Sequence, residues 1–289
     1  MRTPDPADEH RHEPDDTPLW NESYYFDWFA EDLSVGGYVR LGFYPNLGSV
    51  WYWACLVGPD RPLVTVIEHD VALPRSGSSL EVRHEGLWAD HAVEEPNEHM
   101  SANLESFAVQ LDDPAEVYRG ARGERVPFGF ELDFFTDGGA FLWPPVTPRY
   151  EIPCRVHGEI MLADGPIHVD CLGQRDHSWG ERDWWAYSWS WTAGWLSDGT
   201  RFHGTSVDVD DVHLFGTGYL QGPDGTRIEV DEARRTEVLG PAGLPERATW
   251  QVHDLAMDVE PVAFAPVEAV AADGRVTRFP RAWCQIGRA

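Results

Sequence analysis

The sequence predicts an all-β protein of antiparallel strands, arranged as barrels or sandwiches. Three observations predict it. Apolar runs are short and repeatedly broken by Gly, Pro, Asn and Asp. Asp-Gly pairs at 164–165, 198–199, 224–225 and 273–274 sit between such runs, as tight hairpin turns require. No amphipathic helix longer than about three turns can be drawn, and nothing has the spacing of a strand–helix–strand unit.

Taken in order, residues 1–18 are polar and rich in Pro and Asp, and are expected to form a disordered tail. Glu22–Glu31 and Pro114–Arg119 are the two short helix candidates. Strands are expected at Tyr38–Phe43, Val50–Val57, Leu63–Glu68, Leu104–Leu111, Val126–Phe135 and Arg155–Leu162. Further strands are expected at Ile167–Leu172, Trp184–Leu196, Arg201–Val209, Val212–Leu220, Ile228–Val230, Ala248–Val252 and Ala256–Pro261. The clearest internal break is Leu142-Trp143-Pro144-Pro145-Val146-Thr147-Pro148, which would divide the chain into domains of 19–148 and 149–289.

Composition removes several function classes. A net charge of -27 repels phosphate backbones and anionic lipid, which excludes nucleic acid as a partner; its bland reading is solubility. All 22 basic residues are arginine, so Schiff-base, pyridoxal-phosphate and Walker-type phosphate-loop chemistry lack their lysine. No G-x-S-x-G elbow is present; Gly204-Thr205-Ser206-Val207-Asp208 lacks the closing glycine. No G-x-G-x-x-G opens a helix. Cys55, Cys154, Cys171 and Cys284 are scattered and read as small buried residues in a reducing compartment. No apolar run has signal-peptide or membrane-spanning length, so a soluble cytoplasmic protein without membrane insertion is expected. Oligomeric state stays open, a homodimer included.

The most informative segment is Trp184–Leu196, WWAYSWSWTAGWL. With the two-residue period of a strand, Trp185, Tyr187, Trp189, Trp191 and Trp195 share one face, and Ser188, Ser190, Thr192 and Gly194 the other. Such an aromatic stripe is either core or the wall of a ligand cavity. Tryptophan is bulky and needs an N–H partner when buried, which keeps the cavity reading level with the core reading. A two-residue Asp198-Gly199 turn would pair Trp195 with Phe202 and Trp189 with Asp208. Asp208 would then join the aromatic face and His203 the opposite one, an assignment that a one-residue slip reverses. A carboxyl group shielded by tryptophans is held neutral, and can protonate an alkene or a leaving hydroxyl beside indole faces that stabilise the cation.

Upstream lies Gln174-Arg175-Asp176-His177-Ser178-Trp179-Gly180-Glu181-Arg182-Asp183. Histidine is the one side-chain type that changes charge near neutrality unaided, so His177 can donate or accept a proton, and Asp176 could orient it if the chain bends the pair together. The alternative is a solvated loop whose acids pair with its arginines. A metal site from His177, His203 and His213 matches no familiar ligand spacing, and no metal is expected.

At Asp176-His177-Ser178-Trp179-Gly180 the chain resembles the carotenoid 1,2-hydratase (hydroxyneurosporene synthase)/AttH-like family. That resemblance implies two lipocalin-like antiparallel β-barrel or sandwich domains packed together, with the motif in the C-terminal one. It implies cofactor-free acid chemistry on isoprenoid double bonds, and roles for His177 and Trp179. A Tyr-x-Asp pair of the family finds only Ser206-Val207-Asp208 here, with serine in place of tyrosine.

The resulting expectation is a cofactor-independent enzyme acting on an apolar isoprenoid-like, terpenoid or polycyclic substrate. It would be a lyase (hydratase or dehydratase), an isomerase or a cyclase. Asp208 and His177 would transfer protons, Asp176 would orient the histidine, and Tyr187 would be a second donor. Trp179, Trp185, Trp189, Trp191, Trp195, Phe202 and His203 would line the substrate site. The rival expectation is a non-catalytic lipocalin-like carrier of an apolar molecule; a third is a purely structural aromatic core.

Overall fold

The computed structural model describes residues 3–209 and 212–288. The chain is nearly all β, as expected, and divides into two compact units. One comprises Met1–Asp113 and Ala121–Arg182, the other Pro114–Gly120 and Asp183–Ala289.

In the first unit the strands are β1 (Trp20–Phe29), β2 (Gly36–Tyr44), β3 (Ser49–Val57), β4 (Leu63–Ala72), β5 (Val82–His84) and β6 (Leu87–Glu95). They continue with β7 (His99–Leu111), β8 (Glu124–Thr136), β9 (Phe141–Leu142), β10 (Arg149–Leu162) and β11 (Gly165–Glu181). Hydrogen bonding runs β4-β3-β2-β1-β11-β10-β8-β7, and Leu63–Thr65 of β4 then pairs with Val109–Leu111 of β7. Eight strands therefore close into a ring, which removes the open edges a flat sheet would leave. The N-terminal part of β7 pairs instead with β6, so one long strand serves both the ring and its β5–β6 extension.

Alternation decides what faces inward. Tyr24, Phe26 and Trp28 of β1 pack in one buried core with Leu41, Tyr52, Phe130, Phe134 and Ile152. Side chains on the outer face of β1 and β2 are buried as well, Tyr25 and Tyr38 among them. Burial on both faces blurs the period-two signal. That is why Glu22–Glu31 reads as a helix in sequence and is in fact strand β1. Pro114–Arg119 does form a short 3-10 helix.

Two further expectations are corrected. Residues 149–181, expected to open the second domain, form β10 and β11, whose ladders to β8 and β1 tie them into the first unit. The Pro-rich segment 142–148 is only the turn between β9 and β10, where Leu142 pairs with Tyr150. The break falls after Arg182. The expected tail is ordered from residue 3, its first two residues lying outside the described ones. Pro6–Glu9 is a 3-10 turn capped by Asp5, and Glu9 is fully buried because it meets Arg175 inside the barrel.

The second unit holds β12 (Ser188–Trp195), β13 (Arg201–Val209), β14 (Val212–Gln221) and β15 (Arg227–Val230) in one sheet. A second sheet holds β16 (Ala233–Leu239), β17 (Pro245–Val252), β18 (Leu255–Phe264) and, after the β19–β20 hairpin (Val267–Val270, Val276–Phe279), β21 (Ala282–Arg288). The sheets face each other over Leu196, Phe202, Val230, Trp250, Val252 and Met257. Gly204 is required at this interface, since a Cβ there would lie 2.9 Å from Val252. Among the described residues no helix is long and apolar enough to cross a membrane.

Candidate active site

Inside the first unit, β11 sends Arg175, His177 and Trp179 inward and Gln174, Asp176 and Ser178 outward, as strand alternation requires. His177 sits between two tyrosines, opposite Tyr24 of β1 and Tyr150 of β10. The Tyr24 ring stacks on the imidazole at 4.0 Å, and the Tyr150 ring meets it edge-on. One step along β1, Glu22 lies diagonally across and takes the imidazole Nε2 at 2.6 Å. The Tyr150 hydroxyl is 3.1 Å from Nδ1. His177, Glu22, Tyr24 and Tyr150 are all essentially inaccessible.

The N-terminal segment completes the cluster. His12 donates its backbone N–H to Glu22 Oε2 at 2.7 Å, and its Nδ1 lies 2.9 Å from Oε1. Its ring stacks on Trp179 at 3.8 Å, and its Nε2 is 3.5 Å from Asp8. Beside it, Arg175 Nη1 lies 2.9 Å from both oxygens of Glu9. The hydroxyls of Tyr24 and Tyr150 donate to the carbonyls of Glu9 and Asp8, each at 3.3 Å.

Electrostatics follow from these contacts. Burial alone would raise the Glu22 carboxyl, but hydrogen bonds from His12 and His177 outweigh it and hold it below the ordinary value. For His12 the balance also favours charge: burial lowers it, yet the bond to Glu22 and the nearby Asp8 raise it overall. Burial and the negative charges of Glu22 and Glu9 push the Tyr24 phenol well up, so it stays protonated; Tyr150 is pushed up mainly by burial.

The expected site residues are only partly brought together. His177 and Trp179 are neighbours, with ring centroids 5.2 Å apart. Asp176 does not orient His177. It points to the other face of β11, where Arg149 bridges it at 2.7 Å and Glu151 at 2.7 Å. Glu22 holds the place assigned to Asp176.

The expected hairpin register is off by one. Leu196 N–H bonds to Thr200 O, Gly199 N–H bonds to Leu196 O, and Gly199 has φ 82°. The turn is thus a three-residue loop with a left-handed glycine, not a two-residue one. Trp195 pairs with Arg201, Trp191 with Thr205 and Ser188 with Asp208. His203 therefore joins the tryptophan face, buried, 5.5 Å from the Trp191 ring, with Nδ1 3.0 Å from Thr192 O. Phe202 and Asp208 go to the other face: Phe202 into the sandwich core, and half-buried Asp208 to His213 at 3.2 Å.

The segment is also not one continuous strand. Asp183 accepts from the Trp185 backbone and makes a turn, so β12 starts at Ser188 and the earlier alternation is lost. Tyr187 is 56% exposed, no place for a shielded donor. Trp184 is buried against Trp189 and Phe279, while Trp185 donates to Ala269 O. Among the described residues the three-histidine set is not assembled, because His203 and His213 fall on opposite faces of β13 and β14.

Sequence reading missed His12, Glu22, Tyr24, Tyr150, Glu9 and Arg175. The signal for Glu22 was present, as an acid heading the alternation Glu22, Tyr24, Phe26, Trp28.

Residues 5–289 match the family described as a domain of unknown function, DUF7064. The chain belongs to the DUF7064 family. No curated protein matches this DUF7064 chain significantly. Among solved structures, its fold is similar to a putative AttH from Nitrosomonas europaea, with a TM-score of 0.58 at 12% identity over 100% of this chain and 97% of that one. It is similar to kievitone hydratase from Nectria haematococca, with a TM-score of 0.56 at 9% identity over 88% of this chain and 80% of that one. A third likeness is to CghA, with a TM-score of 0.53 at 12% identity over 89% and 80%. The AttH-like, lipocalin-type β fold expected from the Asp176–Gly180 motif is thus the fold this DUF7064 member has.

Proposed function

We propose that this protein is an acid–base enzyme that adds or removes a proton, together with water, at a carbon of an apolar substrate. Hydration or dehydration is the leading reaction, with isomerisation or cyclisation as outcomes of the same cation. One observation carries the reading: His177 is held inside the barrel with a carboxylate 2.6 Å from one ring nitrogen and a phenol 3.1 Å from the other. The AttH and kievitone hydratase likeness supports it at the level of the fold.

The chain His12–Glu22–His177–Tyr150 has two arrangements of its protons. With neutral His177, Nε2–H donates to Glu22, and Nδ1 accepts from the Tyr150 hydroxyl. With cationic His177, Nδ1–H donates to the Tyr150 oxygen, and the tyrosine hydrogen turns to Asp8 O, 3.3 Å away. Nε2–H stays on Glu22 in both, so His177 steadies the carboxylate while the proton that moves is the one on His12. The outer end of the relay lies at His12 and Trp179, both half-buried. There protonated His12 gives its proton to an alkene carbon, the Trp179 indole stabilises the cation by about 0.5–2 kcal/mol, and the water that adds returns a proton to His12. In the second unit, half-buried Trp189, Trp191 and Trp195, with buried His203, offer a further surface for the same apolar class.

The test is incubation with a panel of isoprenoid and polycyclic alkenes in heavy water, read by mass spectrometry. Deuterium uptake that disappears in His177→Gln and Tyr150→Phe supports the reading. Substrate that is bound and returned without isotope makes the protein a carrier and sinks it.

A further inference from the structure

We propose that His12, Glu22 and His177 form a binding site for one divalent transition-metal ion, zinc by its donor set, which clasps the N-terminal segment to the barrel. This goes beyond the reaction proposed above and stands without it. Nδ1 of His12, a carboxylate oxygen of Glu22 and Nε2 of His177 all lie within 4.8 Å of one another. Two imidazoles and one carboxylate are a donor set that suits zinc, with a fourth position left for water.

The surroundings fit a bound ion. A metal on His177 Nε2 puts the ring hydrogen on Nδ1, which then donates to the Tyr150 oxygen 3.1 Å away. Tyr150 in turn donates to Asp8 O at 3.3 Å. A metal on His12 Nδ1 leaves Nε2–H facing the Asp8 carboxylate at 3.5 Å. Each ligating ring thus has an outer partner that fixes its tautomer, as metal-bound histidines ordinarily do. Glu22 keeps its second oxygen on the His12 backbone N–H. Bonds of about 2.0–2.1 Å in tetrahedral geometry need ligand atoms roughly 3.3–3.4 Å apart. The present 2.6 and 2.9 Å contacts must therefore open by roughly 0.7 and 0.4 Å respectively. His12, which lies outside any strand, can supply the second movement, while the first falls to rotation of the Glu22 side chain away from the His177 ring.

The consequence is mechanical. His177 and Glu22 belong to strands of the ring, whereas His12 belongs to the segment that carries Glu9 inside, so an ion at the site joins the two. It also takes both imidazole nitrogens out of proton exchange with Glu22.

The experiment uses the full chain, stripped with chelator and titrated with cobalt(II), with zinc measured by competition against a chromophoric chelator. One equivalent of cobalt with the intense visible bands of four-coordinate geometry is expected. His12→Ala, a half-buried residue outside the core, should weaken binding at least about 100-fold, and Tyr150→Phe about 10–100-fold as an outer partner. Zinc should slow proteolysis within residues 10–18 in the wild type and not in His12→Ala. No uptake at micromolar metal, or equal uptake in His12→Ala, overturns the site; equal uptake would mean binding at surface pairs such as His157–Asp170. No step measures turnover, so this result is independent of the acid–base reading.

Discussion

Glu22 and His177, 155 residues apart in sequence, meet at 2.6 Å inside a closed ring of strands. The contact depends on a diagonal across the β1–β11 ladder, in which Glu22 pairs with Trp179 and Tyr24 with His177. A side chain of this class is almost never fully buried unless paired, and Glu22 has both histidines.

Glu22→Gln should therefore cost both stability and chemistry. It removes the charge that both imidazoles face and sets an amide N–H against an imidazole N–H. The expected loss is roughly 2–4 kcal/mol of unfolding free energy, with an unchanged denaturant slope. If the proposed reaction holds, turnover should fall by about 10²–10⁴. Urea titration and the isotope assay check the two separately.

Asp176→Asn separates the faces of β11. Its carboxylate pairs with Arg149 on the outer side, where Glu151 also serves. Burial opposes the charge of Arg149, but Asp176 and Glu151 raise it overall, so losing one acid weakens the guanidinium's support. Melting temperature should drop while isotope uptake stays near wild type. Loss of uptake at unchanged stability would restore Asp176 as a participant.

Glu9→Ala strands Arg175, a guanidinium 1% exposed, inside the barrel. Breaking such a pair from one side costs roughly 3–5 kcal/mol, whereas replacing both members with apolar groups returns much of it. The double variant Glu9→Ala/Arg175→Met should accordingly be more stable than Glu9→Ala alone. A double-mutant cycle by chemical unfolding measures the coupling.

His91 predicts an acid-sensitive stability. Burial lowers it from 6.5 to about 3, and neither ring nitrogen has a hydrogen-bond partner among the described residues. Between these values the unfolded chain binds a proton that the folded chain refuses, so stability falls as pH drops through this window. The loss from His91 at pH 5 is about 2 kcal/mol. His69, lowered to about 4 by burial and then by Arg40, adds a second such contribution. His91→Phe, placed between Phe26 and Tyr52, should flatten the fall between pH 7 and pH 5 in thermal melts. An unchanged pH slope would refute this.

Much of this was legible in the sequence. Asp-Gly turns and broken apolar runs located most of the strands, because they report local backbone chemistry. The histidine and tryptophan of the 176–180 motif did enter the candidate site. Its carboxylate was not legible, because pairing Glu22 with His177 needs the β1–β11 ladder, and no local pattern encodes that closure. Gly199 shows how a single turn residue misleads: a left-handed glycine closes either a two- or a three-residue loop, and the choice exchanged His203 for Asp208 on the tryptophan face.

The β1–β11 ladder also dictates timing during synthesis. About 150 residues must leave the ribosome after the first strand before its outer partner exists. At typical rates of about 5–20 residues per second, one rim of β1, bearing tyrosines and a tryptophan, stays unclaimed for roughly 8–30 s. A nascent chain of this design should lean on holding chaperones through that interval, and truncations ending before residue 172 should aggregate rather than form a smaller barrel.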